Sequence, residues 1–365
     1  MTAVEQINLG IVGACGRGGS FRRSCEAIDK INLHAICDVN AEGLDKAKAD
    51  LQVEHAYTDY IEMLDKSGVD AVIIGTPMPF HVPQAIEALK RNIHVISEVP
   101  ASVGMDESRQ LVEAANASSA MYMMAENYTY MQRNQVVKEI VRRGEFGKTY
   151  YAEGEYVHEL KGLNEITKWR RKWQTGVNGV TYCTHSLGPV LQWMPGDRVT
   201  KVCCAGSGLN HKDPRGDYYE NEASCVMLCK MESGGLAKIR VDMISDRPHD
   251  MTYYHLQGMD GAYYGDGRIW LRSKSEDPHK WMRIEDLFDE YMPENWVKFE
   301  ELAKKAGHGG GDLLELIDFV DAVEGTRPCP VGIHEAMDMT LPGLISQLSI
   351  QQDGQWLDVP DSRAW

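Results

Sequence analysis

An apolar run over residues 7–13 leads into Gly13-Ala14-Cys15-Gly16-Arg17-Gly18-Gly19, and a second apolar run, 32–38, closes on Asp38. Glycines between a strand and a helix let the backbone turn sharply and leave the first N–H groups of the helix facing outward, ready for an anion. In the G-x-G-x-x-G register Gly13 and Gly18 take the first and third positions and Cys15 the second, with Gly16 beside it to restore backbone freedom. Asp38 lies twenty residues past Gly18, where a carboxylate meets the ribose hydroxyls of a dinucleotide and repels a 2′-phosphate. The expectation is a domain that binds NAD rather than NADP, contacted by Gly13, Cys15, Gly16, Arg17, Gly18 and Asp38.

The chain around this turn alternates in the manner of crossover units. Candidate strands at 70–75, 93–97 and 121–125 are separated by segments at 41–51, 79–91 and 106–117, where apolar residues such as Ile86 and Leu89 recur at helical spacing. From about 148 the pattern changes to long alternating runs at 148–158, 199–206, 222–231, 235–244, 252–258 and 267–272. Consecutive strands with no helix between them imply an antiparallel sheet. Two helices, near 311–324 and 333–350, close the chain, the second after Pro328-Cys329-Pro330. The predicted fold class is therefore α/β. A Rossmann doubly wound parallel sheet occupies 1–147, and a substrate-binding α+β domain on a largely antiparallel sheet occupies 148–365, with the closing helices packed back on the first domain or on the sheet.

Composition excludes several function classes. With 365 residues, 43% hydrophobic and 25% charged, the chain buries a substantial core. A net charge of -16 argues against a nucleic-acid partner. The nine cysteines form no C-x-x-C pair and read as reduced thiols. The opening Met-Thr-Ala-Val-Glu-Gln lacks the basic and apolar regions of a signal peptide, and no stretch of ~18 apolar residues is present to span a bilayer. The expected location is cytoplasmic, without membrane contact. His158, His185 and His308 are too widely separated to signal a metal, and none is expected.

Further motifs carry a family resemblance. Gly75-Thr76-Pro77 followed by His81, then Glu98-Val99-Pro100 after a strand, together with the change of pattern after 147, resemble the Gfo/Idh/MocA oxidoreductase superfamily over essentially the whole chain. The resemblance implies that Thr76, Pro77, His81 and Glu98 lie along NAD. Many members carry Glu-Lys-Pro where this chain has Glu98-Val99-Pro100, and that lysine commonly polarises the reacting hydroxyl, so another group must handle the proton here. The segments Ser97-Glu98-Val99-Pro100-Ala101, Met124-Ala125-Glu126-Asn127, Glu153-Gly154-Glu155-Tyr156-Val157-His158, Tyr182-Cys183-Thr184-His185, Gly307-His308-Gly309-Gly310-Gly311-Asp312 and the ending Asp358-Val359-Pro360-Asp361-Ser362-Arg363-Ala364-Trp365 are similar to glycoside hydrolase family 109. Cys183 stands where proline is usual and Gly311 where methionine is usual. That resemblance implies glycoside cleavage in which retained NAD oxidises C3, the acidified C2 proton is removed, the aglycone is eliminated and the ketone is reduced again.

The residues themselves supply candidates for this chemistry. Tyr156 and His158 are two apart in a strand and share a face, and Tyr182 and His185 are three apart in a helix reading and neighbour one another. A phenol beside an imidazole relays a hydroxyl proton near neutrality, so Tyr182 and His185 are the leading proton-transfer pair and His158 the second candidate base. Glu126 is a candidate to orient the substrate or His158. His308, in a glycine-rich loop, and Trp169, with Trp173, Tyr253 and Tyr254, are candidates to hold a sugar, as is Tyr156. Asp312 fits as the N-cap of a helix at 313–324.

Each candidate also has a purely structural reading: His185 as a satisfied core residue, Glu126 as an anchor for the following helix, Tyr156 and the tryptophans as packing. Three functions follow. The first is an NAD-dependent oxidoreductase that oxidises a sugar C3 hydroxyl and releases its reduced cofactor, the second a redox-neutral glycosidase or lyase with retained NAD, and the third a non-catalytic NAD or sugar sensor. The expected partners are a small carbohydrate or glycoside and a second copy of the chain, as a homodimer or homotetramer that covers the free face of the antiparallel sheet.

Overall fold

Strands buried on both faces read as nearly continuous apolar runs, which is the composition of the first sheet. The computed structural model describes residues 6–248 and 251–365. Residues 1–5, read above for a leader, lie outside them. The first sheet contains β1 (Ile7–Val12), β2 (Ile31–Cys37), β3 (His55–Tyr57), β4 (Ala71–Ile74), β5 (His94–Glu98) and β6 (Tyr122–Ala125). Their order is β3-β2-β1-β4-β5-β6, with every neighbouring pair parallel. All of β4 and all of β6 are buried. The helices Ala41–Leu51 and Tyr60–Lys66 start at side-chain caps: Asn40 Oδ1 accepts from Gly43 N at 3.0 Å, and Asp59 Oδ1 accepts from Glu62 N at 2.8 Å. Each cap stabilises by about 1 kcal/mol. The strand order reverses between β1 and β4, which is the switch point at which such sheets bind ligands beyond their carboxyl ends.

This sheet belongs to a compact unit made of the chain up to Tyr130, Lys298–Met337 and Ser362–Trp365. The helix Gly311–Val323 lies within it and buries Leu313, Leu314, Leu316, Ile317 and Phe319. The second unit comprises Met131–Val297 and Asp338–Asp361.

The second unit is built on β7 (Thr149–Val157), β8 (Val199–Gly206), β9 (Ser224–Met231), β10 (Leu236–Asp242), β11 (Thr252–Gly258), β12 (Gly261–Tyr264), β13 (Arg268–Leu271), β14 (Met282–Arg283) and β15 (Leu357–Asp358). The sheet order is β14-β13-β12-β11-β7-β10-β9-β8-β15. Among the described residues only β7 and β10 run parallel, so the sheet is largely antiparallel. Burial alternates along β9 and β10, the signature of a sheet with one covered face.

The expectation of strands uninterrupted by helices fails between β7 and β8, where Lys161–Ile166, Trp169–Trp173 and Thr184–Gln192 intervene. The first two are only 6 and 5 residues long, too short to display a helical period, and the third contains Gly188 and Pro189. The helix Thr184–Gln192 packs directly on β7. A Cβ at Gly154 would collide with the carbonyl of Ser186, so only glycine admits this approach. At the end of this helix the Trp193 indole donates to Asn134 O at 3.0 Å and meets Tyr254 and Tyr263 edge-on. Among the described residues no helix is long and apolar enough to cross a membrane.

Candidate active site

The turn after β1 has the shape its glycines imply. Gly13 adopts φ +79, and a Cβ there would lie 2.6 Å from the carbonyl oxygen of Gly75, which follows β4. Loops from both sides of the switch point thus close on each other at this glycine. Asp38, at the end of β2, accepts from Cys15 N at 2.9 Å and from Asn40 N at 2.9 Å. These donors fix the carboxylate beside the turn, with lone pairs remaining for ribose hydroxyls. The exposed Cys15 takes the middle-glycine position, and partial burial together with the Asp38 charge pushes its thiol up to about 11. The glycine cradle and the fixed acid fit a dinucleotide.

The loop after β4 is braced from beneath. His81 is buried, its Nε2 lying 2.9 Å from Thr76 O and its Nδ1 3.0 Å from Pro100 O. Burial outweighs the two carbonyls and holds the imidazole below its ordinary range, so the neutral ring donates its one proton to only one of them. His81 is thus wedged between the Thr76-Pro77 loop and the segment after β5. The Thr76 hydroxyl donates to Gln84 Oε1 at 2.6 Å.

Arg17 joins the turn to two other parts of the first unit. Its terminal nitrogens form a bidentate pair with Asp312 at 2.8 Å each, and its Nε lies 2.7 Å from Glu98 Oε1. Asp312 also accepts from Asn127 Nδ2 at 3.0 Å and faces His308 Nδ1 at 3.0 Å. Burial alone would raise this carboxyl, but the bonds from His308 and Arg17 hold it well below the usual carboxylate range.

The N-cap expected of Asp312 is therefore corrected. The helix begins at Gly311, the cap position is Gly310 in the left-handed region at φ 97, and no side chain caps it. Asp312 sits within the first turn, and its carboxylate is turned to Arg17, Asn127 and His308 instead. Glu126 is buried at the end of β6 and accepts from Tyr128 N at 3.2 Å.

In the second unit four rings meet. The Tyr156 hydroxyl lies 2.8 Å from His158 Nδ1. Ring centroids are 5.7 Å apart for Tyr156 and Tyr182, 5.0 Å for Tyr156 and His185, and 5.4 Å for Tyr182 and His185. The helical reading of Tyr182 is corrected, because the helix starts at Thr184 after Cys183. Tyr182 stands in the preceding turn, and that turn rather than a helical face brings it against His185. The Tyr254 hydroxyl donates to the His185 carbonyl at 2.5 Å and anchors the helix start. The guanidinium of Arg170 lies over the Trp169 ring at 4.4 Å.

Two residues of the first-unit network were absent from the expected site. Asn127 was quoted within a family motif but given no role. Glu315 was not singled out, although a lone acid in the apolar run Leu313-Leu314-Glu315-Leu316-Ile317 was the available signal.

Residues 7–126 match the family described as "Oxidoreductase family, NAD-binding Rossmann fold", and residues 130–364 match "Glycosyl hydrolase 109, C-terminal domain". A glycosyl hydrolase family 109 protein of Shewanella pealeana is 29% identical over 396 residues, covering 98% of this chain and 86% of its own length. Among solved structures, an NAD binding oxidoreductase from Klebsiella pneumoniae superposes with a TM-score of 0.83 at 19% identity, covering 98% of this chain and 100% of that chain. Levoglucosan dehydrogenase in complex with NADH and L-sorbose gives 0.82 at 18% identity, covering 98% and 100%. At such identities these two likenesses show the fold. The cofactor is NAD, held by the Rossmann domain matched at 7–126. With a Rossmann sheet ahead of a family-specific domain that spans 130–364, this chain belongs to the Gfo/Idh/MocA superfamily and, within it, to glycosyl hydrolase family 109.

Proposed function

We propose that this enzyme oxidises the C3 hydroxyl of a sugar or glycoside, with Tyr182 and His185 taking the hydroxyl proton as the hydride leaves the same carbon. Bound NAD supplies the hydride acceptor. Gly13, Cys15, Gly16, Gly18 and Asp38 hold the dinucleotide, and Glu98, Thr76 and Pro77 border it. The phenol of Tyr182 takes the hydroxyl proton as it passes its own to the imidazole of His185, which holds it. Trp169 and His308 are further candidates to hold the carbohydrate.

The observation that carries the reading is the pairing of two phenols with two imidazoles, Tyr156 with His158 and Tyr182 with His185, in one cluster. It also favours one version of the chemistry. A dehydrogenase that releases NADH needs one base. Oxidation followed by elimination needs one group for the hydroxyl proton and another for the C2 proton, which then returns a proton when the leaving group is replaced by water. Two separate phenol–imidazole pairs match that demand, as does membership of family 109. The redox-neutral glycosidase, with NAD retained, is therefore the preferred form.

Incubation of the purified protein with a panel of nitrophenyl glycosides, without added cofactor, tests this. Release of nitrophenol with no net NADH is expected. Net NADH from free sugar supports the simple dehydrogenase instead, and silence of the whole panel in both signals sinks the proposal. Tyr182→Phe combined with His185→Ala should reduce turnover by ~100-fold or more while leaving NAD bound. A non-catalytic sensor would keep its ligand response in that double variant.

A further inference from the structure

The helix Gly311–Val323 buries an acid that no donor neutralises. Glu315 follows Asp312 by three residues and so projects from the same side of the helix. It is wholly buried, and neither of its carboxyl oxygens has a hydrogen-bond partner. An ionised carboxylate in such a position loses its hydration and gains nothing in return.

The groups facing Glu315 are already short of positive charge. Arg17 is the cation beside it, and Asp312 and Glu98 already share that guanidinium. Glu126 faces it from the end of β6, and Tyr130 is coupled both to it and to Asp318, further along the same helix. The helix Arg22–Glu26, packed on the same helix, turns Ser24 and Cys25 inward while Arg22 pairs with Glu26. His308 is engaged by Asp312. Burial first, then the charges of Asp312 and Glu98, push the Glu315 carboxyl far above the ordinary carboxylate range. These causes all favour its protonated, neutral form.

We propose that Glu315 is a positioning residue of the NAD site that works by keeping its proton: neutral, it leaves Arg17 shared between Glu98 and Asp312, whereas ionised it sets a further negative charge behind the turn that receives the cofactor's diphosphate. Arg17 lies within that turn and Glu98 ends β5, so Glu315 acts through them and not on the substrate. The inference rests on NAD binding alone and survives if the sugar chemistry proposed above fails. Because an anionic ligand favours the protonated form, linkage requires that affinity fall as Glu315 ionises and that binding at higher pH take up a proton.

The test is the dissociation constant of NADH for the full chain, followed by nicotinamide fluorescence from about pH 6.5 to pH 10. In the native protein it should rise by roughly tenfold, the effect of one poorly screened unit charge. Glu315→Gln copies the protonated acid and should flatten the profile at the tight, low-pH affinity. Should that variant fold poorly, Glu315→Met removes the charge at similar volume and must flatten it too. Calorimetry in two buffers of different ionisation enthalpy should show proton uptake on NADH binding that vanishes in the Gln variant. A flat native profile, or a slope that persists in both Glu315 variants, overturns the proposal.

Discussion

The hydroxyl of Tyr156 lies 2.8 Å from Nδ1 of His158, and the two rings meet edge to face at 90°. Tyr156 lies near the end of β7 and His158 directly follows its last residue, still in line with the alternation of the strand, and the packing of the helix Thr184–Gln192 at Gly154 brings His185 against the same phenol. Tyr156→Phe keeps the ring and deletes the bond that orients the imidazole. Turnover of a nitrophenyl glycoside is expected to fall ~10-fold, less than the ~100-fold expected for a group that itself transfers a proton, with KM little changed. Unchanged turnover would mean that the phenol only packs.

Asp38 performs two tasks, fixing the turn through Cys15 N and presenting its remaining lone pairs to ribose. Asp38→Ala should raise the dissociation constant of NAD by ~10- to 100-fold, as expected for loss of hydrogen bonds to a charged acceptor. Discrimination against NADP should shrink, since the charge that repels a 2′-phosphate is gone. Calorimetric titration with both dinucleotides reads the two effects, and undiminished preference for NAD would remove Asp38 from the cofactor site.

Asp312 links stability to acid. Its carboxyl in the fold lies well below the ~3.9 of an unfolded aspartate. The stabilisation is therefore complete above that value and drains away as the pH falls beneath it toward the folded value. Asp312→Asn should destabilise the protein at neutral pH by about 3 kcal/mol, the low end for breaking a buried pair, because Glu98 keeps its hold on Arg17. Denaturant melts of the two proteins at several pH values check this. Their stabilities should converge as the solution is acidified, and a constant gap would contradict the linkage.

Cys15 is exposed, yet burial of its sulfur environment and the charge of Asp38 push its thiol up to about 11. Only the thiolate is nucleophilic, so alkylation by iodoacetamide at pH 7.5 should proceed more slowly than for a free cysteine near 8.5, by roughly 100-fold. Asp38→Asn should accelerate it. Peptide mass spectrometry resolves this site from the other cysteines, and labelling as fast as a free thiol would show that Asp38 exerts no such hold.

Much of the fold was legible because its signals are local. The strand-turn-helix with Gly13 and Gly18, the acid at Asp38 and the alternating runs of β8 and β11 each announce themselves within a short window. The strands β14 and β15 were not readable, being 2 residues each, and the short helices between β7 and β8 lack room for a period. At the site, Tyr156 and His158 share a face because of strand geometry and were paired correctly on that ground. Tyr182 and His185 were brought together for a different reason than their spacing indicated, since a turn and not a helix carries the tyrosine.

By itself the sequence determined the class of each unit, the dinucleotide turn and the residue types available for proton transfer, because these depend on backbone geometry and side-chain chemistry over a few residues. Tertiary structure alone decided which charges meet. Arg17 and Asp312 stand 295 residues apart, yet their pairing converts an expected helix cap into the centre of a buried ion network. It also surrounds Glu315 with carboxylates and leaves it without a donor. Burial and electrostatic coupling depend on distance in space, which sequence separation does not encode.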